Sequence, residues 1–134
     1  MSIFSFISGF PRVGQNREYK WAVEKFWRGE ISEEDLLEIV DNQILDSWFK
    51  QQSFLIDKQL IGDFSFYDQV LDAIAYLGIP LKRFGYISTN NLDSYFSAAR
   101  GGSINGKKEQ PLEMTKWFNT NYHYLVPELS LIHI

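Results

Sequence analysis

Three apolar runs stand apart in this chain: Ile3–Ile7, Leu60–Phe66 and Tyr122–Val126. The stretches between them carry helical periodicity. Strands separated by helical crossovers pair in parallel, so this order constrains the chain to an α/β fold. Ile3–Ile7 is β-branched and aromatic with Ser interspersed, which suits a short buried strand. Leu60–Phe66 alternates, sending Asp63 and Ser65 to the face opposite Phe64 and Phe66. Asp63 then sits on a pocket wall or holds a loop backbone, the commoner role for Asp. The third run ends at Pro127. Three strands are few for a closed barrel of eight. The chain has no internal repeat, Walker loop, G-x-G-x-x-G, HExxH or nucleophile elbow.

Gly9, Pro11 and Gly14 break the chain after the first run, with Arg12 in the loop. Asn16 is positioned to cap a helix beginning near Arg17. Tyr19, Ala22, Val23 and Phe26 recur at helical spacing and face the core, and Gly29 is a stop. Lys20 and Glu24 form an i, i+4 pair. Ser32 with Asp35 is a capping-box variant opening a second helix. Its stripe of Leu36, Leu37, Val40, Ile44 and Trp48, extending to Phe49, lies on a helix running to about Phe54. Tyr67–Leu77 is a third helix, with Val70, Leu71, Ile74 and Leu77 inward, ended by Gly78 and Pro80. Leu81–Ile87 is extended or irregular. Leu92–Arg100 is a short helix stopped by Gly101 and Gly102. Ser103–Leu112 reads as a flexible loop in which Lys107 and Lys108 are solvated. Glu113–Trp117 adds a helical turn before the last strand.

Composition narrows the function classes. At 134 residues the chain is one domain or part of one, and 45% hydrophobic content supports a sizeable core. The formal net charge of −4, with no long basic run, disfavours a phosphate-tracking nucleic-acid surface. The absence of cysteine removes disulfides, thiolate catalysis and Cys-based zinc sites from this chain, and fits a cytoplasmic location. No apolar run approaches the roughly 18–20 residues that span a bilayer. The start, MSIFSFISGFPR, lacks a basic region ahead of its apolar residues and reads as a strand rather than a signal peptide. His123 and His133 are too few and too far apart to argue a metal site.

Two places carry candidate chemistry. Arg17 and Lys20 share a face near a helix start, where cations oppose the helix dipole. An anionic ligand would outweigh that cost; two solvated cations at an exposed helix start are the plainer alternative. The second place is Glu113–Glu128, EMTKWFNTNYHYLVPE. It gathers Trp117, Phe118, Tyr122 and Tyr124 around Lys116, Asn119, Thr120, Asn121 and His123, each able to hydrogen-bond. Such density at a strand's approach builds ligand rims. The plainer reading makes the aromatics core and Lys116 solvated.

Three segments in register resemble the N-terminal part of cobalamin-independent methionine synthase, the 5-methyltetrahydropteroyltriglutamate–homocysteine methyltransferase family. They are Gly9–Lys20 (GFPRVGQNREYK), Asp63–Leu71 (DFSFYDQVL) and Glu113–Glu128. The resemblance covers about Gly9 to Glu128. It implies a fold of two (β/α)₈ barrels, of which residues 1–128 are the opening β/α units of the N-terminal, folate-binding barrel. It places the zinc, its Cys and His ligands and the homocysteine site in the C-terminal barrel, so no catalytic or metal-binding residue and no cofactor is expected here. It assigns folate-polyglutamate binding to Arg17, Glu18, Tyr19, Lys20 and Lys116, with Tyr19 in a positional role. Several tail carboxylates would meet these cations through charge-assisted bonds.

Residues 129–134, LSLIHI, depart from the family as a divergent apolar tail. That ending is what a truncated or frameshifted product, or a fragment, would show. The expected function is therefore a piece of the methyltransferase that helps bind 5-methyltetrahydropteroyltriglutamate and does not transfer methyl groups alone. The alternative is a non-enzymatic, self-associating module made from part of a barrel. In the first case Arg17, Lys20 and Lys116 are expected to converge on one anionic site. No nucleic-acid or membrane partner is expected.

Overall fold

Helix α1 (Glu18–Trp27) begins without the cap its sequence offers. The structure, a computed structural model, describes residues 3–104 and 106–128. Asn16 was the expected cap, but Arg17 takes the N-cap position, in the left-handed region at φ 63°, and makes no side-chain cap bond. The backbone N–H and side-chain amide of Asn16 donate instead to the Glu18 carboxylate, at 3.0 and 3.1 Å. Gly14 makes room for that carboxylate. It has φ +84°, and a Cβ there would collide with Glu18 Oε2 and the Gln43 side chain. The helix ends in a Schellman motif. Glu30 N–H reaches Lys25 O, Gly29 N–H reaches Phe26 O, both at 2.9 Å, and Gly29 has φ 71°.

The chain divides into two units, Met1–Phe64 and Ser65–Ile134. In the first, α1 packs on α2 (Glu33–Ser53), which opens with the expected capping box of Ser32 and Asp35. Tyr19, Ala22, Val23, Leu36 and Val40 are buried in this unit. Further along α2 the buried positions are Ser47 and Gln51, while Phe49 is exposed. The same C-terminal motif recurs after α2, now with a non-glycine residue: Leu55 sits at φ 58° while Ile56 N–H bonds Gln51 O at 3.2 Å.

The expected strands of this unit do not form. Ile3–Ile7 contributes one parallel bridge, Phe6 to Lys58, and Leu60–Phe66 is irregular. The bridge is held locally: Asp57 accepts from the backbone N–H and hydroxyl of Ser5 at 2.7 and 2.8 Å. Parallel pairs persist where both faces are covered. Here Ile3 is 93% and Phe6 68% exposed.

The described residues of the second unit form α3 (Gln69–Leu77), α4 (Leu92–Arg100) and four three-residue strands. Strands β1 (Gly102–Ile104) and β2 (Lys107–Glu109) pair antiparallel, as do β3 (Met114–Lys116) and β4 (His123–Leu125). Three expectations change here. The supposed loop Ser103–Leu112 holds the β1–β2 hairpin, the supposed helical turn Glu113–Trp117 holds β3, and the last strand pairs antiparallel instead of parallel. A local partner across a short turn explains all three, because a hairpin satisfies its own backbone without a crossover. Leu71, Ile74, Leu81, Phe84, Ile87, Leu92, Tyr95, Phe96, Leu112 and Leu125 form the core of this unit.

Leu81–Ile87 is an irregular loop closed by two 2.8 Å backbone bonds between Leu81 and Gly85. Arg83 uses it as a platform. Its guanidinium grips Glu128 through Nε at 2.7 Å and Nη2 at 2.5 Å, and donates to Gln110 O and Pro111 O at 2.6 and 3.2 Å. The chain is thus mixed helix and short strand, and the described residues do not close a barrel. The tail 129–134 lies outside the described residues.

Candidate functional site

The five residues singled out by sequence fall on both units and do different work. In the first unit Arg17 is exposed, and among the described residues its guanidinium has no hydrogen-bond or ion-pair partner. Glu18 is committed to the 14–16 loop. Its own backbone N–H, then those of Asn16, hold its carboxyl below the usual carboxylate range. Tyr19 is 4% exposed with its ring edge-on to Phe64 at 5.1 Å, so it packs the unit. Lys20 is exposed, 3.7 Å from Glu24 and 4.9 Å from the centre of the Trp21 ring. The expected i, i+4 pair is therefore present but loose, leaving the ammonium largely in water.

Two clefts lie in the same unit. An open one is lined by Gln15, Glu18, Ile39, Asn42, Gln43, Asp46 and Lys50. Its charges are largely spoken for, since Lys50 bonds Asp46 at 2.5 Å and Glu18 faces its own loop. A smaller recess is lined by Phe10, Pro11, Arg12 and Asp63 among others. Asp63 accepts from the Phe10 backbone N–H at 2.9 Å. Both of the sequence readings of Asp63 thus hold together: it lines a recess and anchors the GFPR loop.

In the second unit Lys116 ends β3 opposite His123 of β4. Cross-strand partners share a face, so both side chains project from the same side of the hairpin. Lys116 is exposed, and among the described residues its ammonium has no partner. Beyond it the turn is closed by backbone and hydroxyl. Trp117 N–H donates to Tyr122 O at 2.8 Å, and Thr120 Oγ1 donates to Trp117 O at 2.6 Å. Phe118 occupies the left-handed region at φ 49°. The aromatics here are not core: Trp117 is 48% and Phe118 81% exposed, and Trp117 meets Phe118 and Tyr124 edge-on at 5.1 and 5.5 Å.

The groups that hold this hairpin lie outside the site that the sequence predicts. Asp68 is 6% exposed and accepts from Val70 N–H and Leu71 N–H, from Leu125 N–H and from the Tyr122 hydroxyl. Tyr95 is fully buried and donates to Asp72. Burial, then the Asp72 charge, push its hydroxyl pKa strongly upward. Asp68 had a legible signal, an Asp directly before an apolar helical stripe. A helix expected from Tyr67 puts Asp68 inside it, whereas the helix begins at Gln69 with Asp68 as its cap.

The donor set does not suit the zinc that the family resemblance places elsewhere. The chain has no cysteine, and among the described residues no three His, Asp or Glu side chains gather. Among those residues no helix is long and apolar enough to cross a membrane.

Comparison with known proteins agrees with the three motif segments. The chain matches the family described as "Cobalamin-independent synthase, N-terminal domain" over residues 4–132. It is 47% identical over 125 residues to the 5-methyltetrahydropteroyltriglutamate–homocysteine methyltransferase of Pasteurella multocida, covering 92% of this chain. It is 48% identical over 127 residues to the Haemophilus influenzae protein of that name, covering 94%, and 46% identical over 124 residues to the Lactococcus lactis one, covering 92%. The chain spans 16% of the length of each of these relatives. It belongs to the cobalamin-independent synthase family, in the region of its N-terminal domain.

Proposed function

We propose that this chain supplies cationic contacts for the glutamate tail of 5-methyltetrahydropteroyltriglutamate. It does so as part of an enzyme that passes the methyl group to homocysteine to make methionine. Arg17 and Lys20 are the contacts of the first unit and Lys116 that of the second. Glu18 and Tyr19 serve by shaping the loop and seating α1. The observation that carries this reading is that Arg17 and Lys116 lie in the matching segments as exposed cations with no partner among the described residues. A γ-linked glutamate tail offers carboxylates that such a cation answers. The wider setting of this reading is the first portion of a (β/α)₈ barrel, in the cytoplasm. Methyl transfer then depends on groups outside this chain.

Binding of the triglutamate and monoglutamate forms to the whole chain tests it, by calorimetry at two salt concentrations. The triglutamate binds more tightly and weakens with salt, because exposed charges are screened. Lys116→Ala weakens the triglutamate more than the monoglutamate. Equal affinity for both forms sinks the reading.

A second reading, self-association, is favoured by one observation: Ile3, Leu55 and Ile61 are each more than four-fifths exposed in the first unit. Large apolar exposure marks an interaction surface. Sedimentation showing a monomer at high concentration removes it.

A further inference from the structure

We infer that Asp68 and Tyr122 are positioning residues that hold Lys116 in place for the glutamate tail. This rests on the tail-binding reading above. A two-strand ribbon of three residues per strand is marginal on its own. Lys116 forms the last register pair of such a ribbon, just before the chain turns at Trp117. Something outside the ribbon must fix it. That anchor is the buried Asp68 carboxylate. Its Oδ2 accepts from Leu125 N–H of β4 at 3.3 Å and from Val70 N–H and Leu71 N–H at 3.1 Å. Its Oδ1 accepts from the Tyr122 hydroxyl at 3.0 Å. One carboxylate therefore caps α3 and ties down both β4 and the turn.

Asp68 is itself set by the core. Tyr95 Oη accepts from the N–H groups of Tyr67 and Asp68 at 3.2 and 3.4 Å while donating to Asp72. From Tyr122 the path to Lys116 is short. The Tyr122 carbonyl accepts from Trp117 N–H, and Trp117 is the residue after Lys116. Tyr122 is thus held at its hydroxyl by the core and at its backbone by the neighbour of the cation. Removing the hydroxyl leaves the N-cap, β4 and the core bonds in place but lets the turn move. A loosened cation must be ordered on binding, so affinity falls without any ligand contact being deleted.

The test is a double-mutant cycle on the whole chain, with the pteroyl triglutamate and monoglutamate as probes and amide exchange of residues 114–118 as a second readout. Lys116→Ala weakens triglutamate binding by roughly tenfold or more, the value of a charge-assisted bond. Tyr122→Phe weakens it by roughly three- to tenfold, leaves the monoglutamate within about twofold, and speeds exchange at 114–118. In the Lys116→Ala background Tyr122→Phe adds no further loss, since it acts through Lys116. Wild-type triglutamate affinity in Tyr122→Phe overturns the inference, and so does full additivity, which would mean direct contact. If Lys116→Ala changes nothing while the triglutamate still binds more tightly than the monoglutamate, Lys116 is not a tail contact and the positioning role fails; equal affinity of both forms in the wild type sinks the tail-binding reading itself. If Lys116→Ala does weaken binding, unchanged exchange at 114–118 in Tyr122→Phe overturns the positioning role alone.

Discussion

Among the described residues the Ser65–Ile134 unit buries twelve apolar side chains and the Met1–Phe64 unit five, and the latter leaves Ile3, Leu55 and Ile61 nearly bare. Their β-structure differs in the same sense. The second unit pairs its strands as hairpins, while the described residues of the first have a single parallel bridge, at Phe6 and Lys58. An antiparallel hairpin closes its hydrogen bonds with a neighbour in sequence and tolerates one open face. A parallel pair has neither advantage, so its side chains stay exposed unless other elements cover them. The two units also hold their cations differently. Arg17 sits on a left-handed backbone braced by the Gly14–Glu18 contact, and Lys116 sits on a strand tied to a buried carboxylate through Tyr122. In the first case the support is local, and in the second it comes from 48 residues away in sequence, through Asp68.

The sharpest way to break this contrast is Asp68→Ala. It leaves the donors of Val70, Leu71, Leu125 and Tyr122 without their acceptor, at a cost of about 3 kcal/mol or more. Urea unfolding gives the magnitude. Native-state amide exchange gives the location, with protection lost across residues 65–128. Loss spread equally through α1 and α2 would show that the two units do not differ in what supports them.

A smaller effect tests the Arg83 grip on the second unit. Hydrogen bonds from Arg83, followed by its charge, hold the Glu128 carboxyl below its ordinary range. A lowered folded value means that the contribution is complete above the unfolded pKa, about 4.3, and is lost as pH falls through the folded value. Between pH 6 and pH 3 the protein therefore sheds about 1 kcal/mol that Arg83→Gln does not, the modest size reflecting partial exposure of both groups. Identical acid profiles for the two proteins would remove Arg83 from the account.

The smallest expected effect sharpens the comparison from the other side. Leu55 is 86% exposed and occupies φ 58° at a helix terminus that favours glycine. Leu55→Gly removes backbone strain and gives up little burial, so thermal stability rises, by about 0.5–1 kcal/mol. A fall would mean that this side chain packs against something in solution, as the self-association reading requires.

Much of the helical layer was legible because its signals are local. Ser32 and Asp35 form the capping box read from their spacing, Gly29 and Gly78 stop α1 and α3, and α4 spans Leu92–Arg100 as expected. Tyr19, Ala22 and Val23 are buried where helical spacing placed them. The motif segments likewise carried the family, since three of them stand in register. Arg17 and Lys116 were recognisable as cations in need of an explanation from charge and position alone.

Strand pairing and the support of the hairpin were decided by tertiary structure. An apolar run announces that it can extend, but its partner is chosen by what lies across from it. For Tyr122–Val126 that partner is Met114–Lys116, a stretch whose residues suited a helical turn equally well. Ile3–Ile7 has strand chemistry yet gains one bridge among the described residues, where Ile3, Phe4 and Phe6 stay exposed. Asp68 shows the limit most plainly. Its place before α3 marks it as a cap, but its bonds to Tyr122 and Leu125, 54 and 57 residues away, exist only once the chain has folded around it. Propensity and capping act over one helical turn and can be read along the chain; a buried carboxylate that gathers distant donors depends on geometry that no local pattern encodes.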